Sequence, residues 1–478
     1  MQKLFTLFVL ILLTTASSNS LQAQLQAAQW YIQNGYFLDF RSSPPTLISR
    51  PNSSGFYTTT TSMCERDGDL QFYGDHSTVF DRVGNIMPGS FPTLVGPIGP
   101  NGTSRLVGQV MAVETNLLNQ YIYVVGDGVP NAMDRSWRVR TARVNMNTRG
   151  GLGDIGLPSR ELVPTDDISA FAGGYSCEAD KYWLVVVNRE FPGADRSIFY
   201  CYSLEGDRFN DTPVVSFIND VRFSIVGTAA GHRFRLSPDC KRILLPELEI
   251  FTGGRMSLLD FDPFTGIVSN PVRLDTFSRT VWGAEFSPNS QLAYVVDTSQ
   301  IFQYDLTTNP PTKFVLGNNI SPPDDSLFLF PTLQLAIDGT LWMSMQGRSS
   351  LSAILQPNIF GSGADFQLGY FQLPEPRETG SLPSFSSHYF NIPLIEGEVQ
   401  RDTVICPFDS IRLANTLDTD EGFIWAPAEF IDNPLAQNPI FSFPGFPRQD
   451  TTIVMTVQLQ ENCAFRRRIN VTIKGQAA

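Results

Sequence analysis

Residues 237–242 read Ser-Pro-Asp-Cys-Lys-Arg and residues 287–292 read Ser-Pro-Asn-Ser-Gln-Leu, and each leads straight into an apolar stretch. The offset from Ser237 to Ser287 is 50 residues, and a third turn, Ile337-Asp338-Gly339-Thr340, sets Asp338 49 residues after Asn289. A recurrence near 50 describes an array of similar supersecondary units, none of which buries its apolar face without a neighbour. Such an array is a scaffold, and a scaffold does not by itself name a ligand.

Three earlier turns extend the series. Arg66-Asp67-Gly68-Asp69 precedes Leu70–Tyr73, Asn116–Asn119 precedes Tyr121–Val125, and Glu178-Ala179-Asp180-Lys181 precedes Tyr182–Val187. Asp, Asn and Gly suit these places because they tolerate positive φ. Further strands follow within each unit, as at Ser197–Leu204, Met256–Asp262 and Gln300–Leu306. Four strands in about 50 residues is the arithmetic of a propeller blade. Phenylalanine at 36 against methionine at 10, with 37 glycines and 33 prolines, also favours many short strands joined by turns. The expected fold is therefore all-β, a seven-bladed β-propeller over residues 24–394. Six hairpins are visible in the chain. The seventh blade is expected to pair Trp30–Ile32 or Phe37–Phe40 with Ser387–Phe390, closing the ring with strands from both ends.

The repeat ends near residue 395. Six short strands follow, Asp402–Pro407, Ser410–Ala414, Gly422–Trp425, Pro439–Phe443, Thr451–Gln460 and Arg466–Ile473. Their number and length suit a small immunoglobulin-like β-sandwich over 395–478. At the other end, Lys3, the apolar run Phe5–Leu13 and the small residue Ala23 read as an export signal over residues 1–23, too short in its apolar part to span a bilayer. The mature chain is expected to start near Gln24 and to lie outside the cell or on its outer surface, with the periplasm as the lesser alternative. Nothing else in the chain suggests membrane insertion. The net charge of −13 leaves no basic face for nucleic acid, and the one basic cluster, Arg466-Arg467-Arg468, falls inside a strand.

Several segments resemble a family of secreted propeller proteins of Bacteroidota. They are Trp30-Tyr31 with Leu38–Phe40, Asp69–Asp75, Met87-Pro88-Gly89, Gly150–Asp154, Phe261-Asp262 with Thr265–Pro271, and Glu285–Ser290. In that family the propeller is followed by immunoglobulin-like or PKD-like modules, and Asp402–Pro407 with Glu461-Asn462-Cys463 look like the cysteine-bearing ends of one. The resemblance departs at Cys240, where glycine is usual after Ser-Pro-Asp. It also lacks, at Ile473-Lys474-Gly475, the gliding-motility or type IX sorting domain that such proteins often carry. It implies a surface or extracellular location and no reaction.

Residue chemistry points the same way. The three histidines, His76, His232 and His388, are more than 150 residues apart and lack a second metal ligand at useful spacing. Gly361-Ser362-Gly363 lacks the flanks of a nucleophile elbow. Asp75, Asp127 and Asp305 are read as turn caps rather than paired catalytic carboxylates. Asp418-Thr419-Asp420-Glu421-Gly422 alternates oxygen ligands but misses the closing glutamate of a calcium loop, and Asp67-Gly68-Asp69 is first of all a hairpin. No catalytic residue, metal or cofactor is therefore assigned. Cys406 and Cys463, 57 residues apart in the last stretch, are expected to form a disulfide worth roughly 4 kcal/mol in chain entropy. Cys64, Cys177, Cys201 and Cys240 are expected to be buried thiols. The functional expectation is a non-enzymatic surface protein for adhesion or assembly, binding a protein or a glycan. The alternatives are a carbohydrate-active or other hydrolytic propeller enzyme, and a periplasmic assembly factor suggested by the Tol-like Ser-Pro-Asp-x-Lys turn.

Overall fold

A computed structural model describes residues 25–475 apart from 33–35, 51–58, 66–67, 76–77, 91–108, 129–136, 166–168, 177, 190–195, 222–233, 250–252, 280, 298, 319, 321–330, 346–347, 375–381, 392–401, 418–421, 446 and 460–465. The export signal over 1–23 lies outside the described residues. The chain divides into two compact units, Gln24–Pro393 with Gln458–Arg466, and Leu394–Val457 with Arg467–Ala478. The fold is all-β, with many small sheets.

Among the described residues the first unit holds seven antiparallel sheets in chain order. The first contains Gln29–Tyr31, Tyr36–Asp39 and Thr46–Ser49, and the second Thr60–Cys64, Leu70–Asp75 and Val79–Asp81. The third runs Val110–Glu114, Gln120–Gly128, Trp137–Asn145 and Asp154–Thr165. The fourth begins Ser169–Ser176, Lys181–Arg189, Arg196–Glu205, and its last strand pairs with both Arg208–Phe209 and Val214–Asn219. The fifth is Arg235–Leu236, Arg242–Glu249, Gly253–Phe261 and Val268–Phe277. The sixth is Val281–Phe286, Leu292–Asp297, Gln300–Asp305 and Thr312–Asn318. The seventh is Thr332–Leu335, Leu341–Ser344, Ser350–Ile354 and Phe366–Gln372.

The turns explain the repeat. Among the described residues, one left-handed residue sits between the first and second strands of each of the second to seventh sheets: Gly68, Asn119, Asp180, Cys240, Ser290 and Gly339, with φ from 49° to 89°. Each lies one or two positions before the second strand, where the chain must reverse with a twist that right-handed backbone does not supply. Cys240 and Ser290 hold that conformation without being Gly, Asn or Asp. Burial accounts for both, since Cys240 is fully buried and Ser290 Oγ accepts the Asp239 N–H at 3.1 Å from the neighbouring sheet.

In the first, sixth and seventh sheets burial falls from the first strand to the last. Thr60–Cys64, Val281–Phe286 and Thr332–Leu335 are buried throughout, whereas Thr312–Asn318 and Phe366–Gln372 are largely exposed. Successive sheets are joined by specific bonds. Thr60 Oγ1 donates to Tyr31 O at 2.6 Å, Tyr123 Oη to Asp75 O at 2.8 Å, and Trp183 Nε1 to Pro263 O at 2.7 Å. Tyr304 Oη donates to Asp275 Oδ2 at 2.5 Å and Tyr294 Oη to Pro357 O at 2.8 Å. The seventh sheet returns to the first through Phe40 and Trp342, whose ring centroids are 5.5 Å apart edge to face.

One expectation is corrected here. The two ends of the repeat share no sheet among the described residues. Trp30 pairs with Leu38 inside a self-contained first sheet, and Ser387–Phe390 is a 3-10 turn. Apolar residues such as Tyr389 and Phe390 fit a closing strand, and a buried turn carries the same residues.

The second unit shows all six expected strands: Thr403–Ile405, Ser410–Arg412, Phe423–Ala426, Ile440–Ser442, Thr451–Leu459 and Arg466–Ile473. The first, third, fifth and sixth make a four-stranded sheet, and the second pairs with the fourth. Thr403–Ile405 lies parallel to the last strand with Thr403 opposite Val471 and Ile405 opposite Ile473, so the beginning and end of the unit are hydrogen-bonded together. Trp425 is buried and donates from Nε1 to Ala436 O at 2.9 Å.

Candidate functional site

The segment that follows the seventh sheet is bonded to the first strands of several sheets. Leu382 N–H donates to Thr332 Oγ1 at 3.2 Å, and Ser384 N–H donates to Thr60 O at 2.8 Å. Thr61 Oγ1 donates back to Ser384 O at 2.8 Å. Ser386 Oγ shares a hydrogen bond with Tyr182 Oη at 2.6 Å, and Ser387 Oγ donates to Gly173 O at 3.2 Å. Phe385 packs against Trp30 with centroids 6.1 Å apart and against Phe390 at 6.0 Å. One stretch of chain thus touches the first, second, fourth and seventh sheets, and Ser386 Oγ reaches Met111 Sδ of the third at 3.7 Å.

Polar groups from the fifth and sixth sheets border the same segment. Arg235 Nε lies 2.9 Å from Glu285 Oε2, and both side chains are less than a tenth exposed. Arg235 Nη2 also donates to Leu333 O at 2.7 Å, which ties the fifth sheet to the seventh. Glu285 accepts the Phe286 N–H at 3.0 Å. Burial pushes the Glu285 carboxyl up, and Arg235 with the backbone donors works against that push. Arg235, Glu285, Gln334, Gln109, Ser384 and Ser387 border a cavity with room for about one water. The arrangement holds a buried ion pair and ties together the fifth, sixth and seventh sheets.

The residues singled out in the sequence fall as follows. Asp75 caps its own turn by accepting the Thr78 N–H at 2.9 Å, and Asp305 accepts the Thr307 N–H at 2.9 Å. Asp127 lies opposite Arg138 in the third sheet. The three carboxylates belong to three different sheets. Gly361-Ser362-Gly363 sits in a 3-10 turn whose Gly361 N–H donates to Gln303 Oε1 at 2.7 Å. His388 stands among Tyr182 at 5.8 Å and Tyr389 at 4.2 Å. His76, His232 and Asp418–Glu421 lie outside the described residues, and Asp69 forms an ion pair with Arg41 at 2.8 Å. No group of three His, Cys, Asp or Glu side chains fit to hold a metal occurs among the described residues.

Cys64, Cys201 and Cys240 are buried, and Cys406 is exposed directly after Thr403–Ile405. Cys177 and Cys463 lie outside the described residues, and with Cys463 the expected Cys406–Cys463 bond. Sequence reasoning missed Gln109, Arg235 and Glu285. Glu285 stood in a segment noted for its resemblance, but its partner is 50 residues away and nothing local marks the pair.

No family model matches the chain, and no curated protein matches it. Similar solved structures are propeller-like. A 6-phosphogluconolactonase-like protein of Bacteroides uniformis is 12% identical, with 75% of this chain and 98% of that chain covered and a TM-score of 0.41. Kluyveromyces lactis Hsv2 is 9% identical, with 75% and 95% covered and a TM-score of 0.37. A TolB-type protein of Agrobacterium tumefaciens is 13% identical, with 65% and 85% covered and a TM-score of 0.27.

Proposed function

We propose that this chain is a non-enzymatic binding or assembly protein, exported and held at the outer cell surface, built on a seven-bladed propeller with an immunoglobulin-like appendage. One observation carries the reading. The chain's own Leu382–Phe390 is bonded to the first strands of the second, fourth and seventh sheets, and a buried ion pair, Arg235 with Glu285, borders the same small cavity. A segment so bonded leaves the outer loops and strand edges as the working surface, which suits recognition of a protein or glycan rather than turnover. The order of the sheets and the return of Trp342 to Phe40 support a closed ring of seven. The two-sheet arrangement of the six C-terminal strands supports the immunoglobulin-like reading. The sequence of residues 1–23 supports export.

The test is cross-linking in native cells followed by capture of the tagged chain, with cell fractions assayed separately. A specific surface partner is expected. Turnover of any member of a broad glycan panel that Glu285→Gln abolishes overturns the non-enzymatic reading, and recovery in the periplasmic fraction alone overturns the surface location.

A further inference from the structure

We infer that the ring of first strands is a peptide-binding site whose ligand is the chain's own segment Leu382–Phe390, and that this bound segment is the clasp that closes the array. The inference deepens the ring reading above and does not depend on any partner. Rings of sheets are usually locked by a sheet built from both chain ends, and here the first and seventh sheets are separate. Some other element must hold them.

The segment is recognised as a peptide ligand is. Backbone of Ser384 is read twice, by Thr60 O at 2.8 Å and by Thr61 Oγ1 at 2.8 Å. Three consecutive hydroxyl or aromatic positions are then read by side chain and backbone. Ser386 meets Tyr182 at 2.6 Å, Ser387 meets Gly173 O at 3.2 Å, and Phe385 lies against Trp30. Phe385, Tyr389 and Phe390 are all buried, which supplies the apolar anchors. The receptor side is shaped for close approach. A Cβ on Gly174 would lie 2.6 Å from Ser387 Oγ and 2.7 Å from Cys240 Sγ, so only glycine leaves the segment its place. Trp30, Phe37 and Phe40, Trp342 and Leu351 of the seventh sheet, and Phe385 and Phe390 of the segment share one apolar core, as a clasp between first and last sheets requires. The ligand class is a short segment of serines between aromatic anchors, held at the high effective concentration that a tether provides.

The test uses the full chain with one protease site placed in residues 375–381 and a second in 392–401, cut after folding. The excised peptide is expected to co-elute with the body under native conditions. Raising denaturant to just below the body's own midpoint should release it, and the remaining body should then melt at least 5 °C lower and bind a hydrophobic dye. Added synthetic 382–391 peptide should restore the melting temperature. Release of the peptide on cutting, with melting temperature unchanged, overturns the clasp. Full-length Gly174→Ala provides the second arm, expected to lower the melting temperature and to leave the segment open to proteolysis in the uncut chain. An unchanged proteolysis pattern there counts against the site. Small-angle scattering separates the two readings. An open array in the uncut chain counts against the ring, whereas a closed ring that survives loss of the peptide counts against the clasp alone.

Discussion

Gln109 and Phe171 exchange two hydrogen bonds across the boundary between the third and fourth sheets. The Gln109 amide donates to Phe171 O at 2.6 Å, and its Oε1 accepts the Phe171 N–H at 3.0 Å. A side-chain amide thereby copies one step of a β-ladder between sheets that do not otherwise pair. Gln109→Leu removes donor and acceptor together and leaves a buried N–H and C=O without partners. The expected loss is about 2–4 kcal/mol, read as a lower denaturant midpoint at unchanged slope. A loss below about 0.5 kcal/mol means that water replaces the amide.

Arg235 and Glu285 form a buried ion pair, Nε to Oε2 at 2.9 Å. Glu285→Ala leaves a guanidinium buried without its counter-charge, and the expected cost is about 3–5 kcal/mol. The double variant Arg235→Met with Glu285→Leu should be less destabilised than Glu285→Ala, because no charge then remains to desolvate. A double-mutant cycle by chemical denaturation measures this, and additive losses speak against the pair.

Asp275 links stability to acid. Burial pushes its carboxyl up, but the Lys313 ammonium and the Tyr304 hydroxyl outweigh that push and hold it below the ordinary value of 3.8. A carboxyl acidified by folding adds stability that is present above its unfolded value and is lost as pH falls through the folded one. Asp275→Asn should therefore be less stable than the parent at neutral pH, with the gap closing below about pH 3.8. Urea titrations across that range check it. A gap independent of pH shows that Asp275 matters only as a hydrogen-bond acceptor for Tyr304 Oη at 2.5 Å.

Thiol reactivity should separate the cysteines. Burial pushes the Cys64 thiol up to about 12 and raises Cys201 as well, while Cys406 is exposed. After mild reduction, native alkylation followed by peptide mass mapping should modify Cys406 and spare Cys64, Cys201 and Cys240. In chain exported under oxidising conditions, the proposed bond to Cys463 should protect Cys406. An adduct on Cys406 in that unreduced sample overturns the pairing.

The left-handed turn position gives a local test. Gly339 has φ +81°, and Gly339→Ala should cost about 1–2 kcal/mol by thermal melting. Cys240→Gly relieves the same backbone strain but empties a fully buried site, so it should not stabilise the chain. A gain in stability from Cys240→Gly shows that strain outweighs packing there.

The turns at Gly68, Asn119, Asp180, Cys240, Ser290 and Gly339 were legible because a reversal is decided by the few residues that make it, and their side chains and φ preferences are written locally. The six C-terminal strands were legible for the same reason, through alternation and turn residues within each short stretch. Contacts between distant residues were not. Gln109 meets Phe171 across 62 residues and Thr61 meets Ser384 across 323, and neither residue carries a local mark of its partner. Ser387–Phe390 shows the limit most plainly. Its apolar residues fit a strand edge and a buried turn equally well, because burial selects apolar side chains whatever the backbone does. The sequence alone determined the repeat, its turns and the all-β class. Only the tertiary structure decided that residues 382–390 bond to the first strands of distant sheets and that Arg235 meets Glu285, because those outcomes depend on which surfaces meet once the sheets have formed.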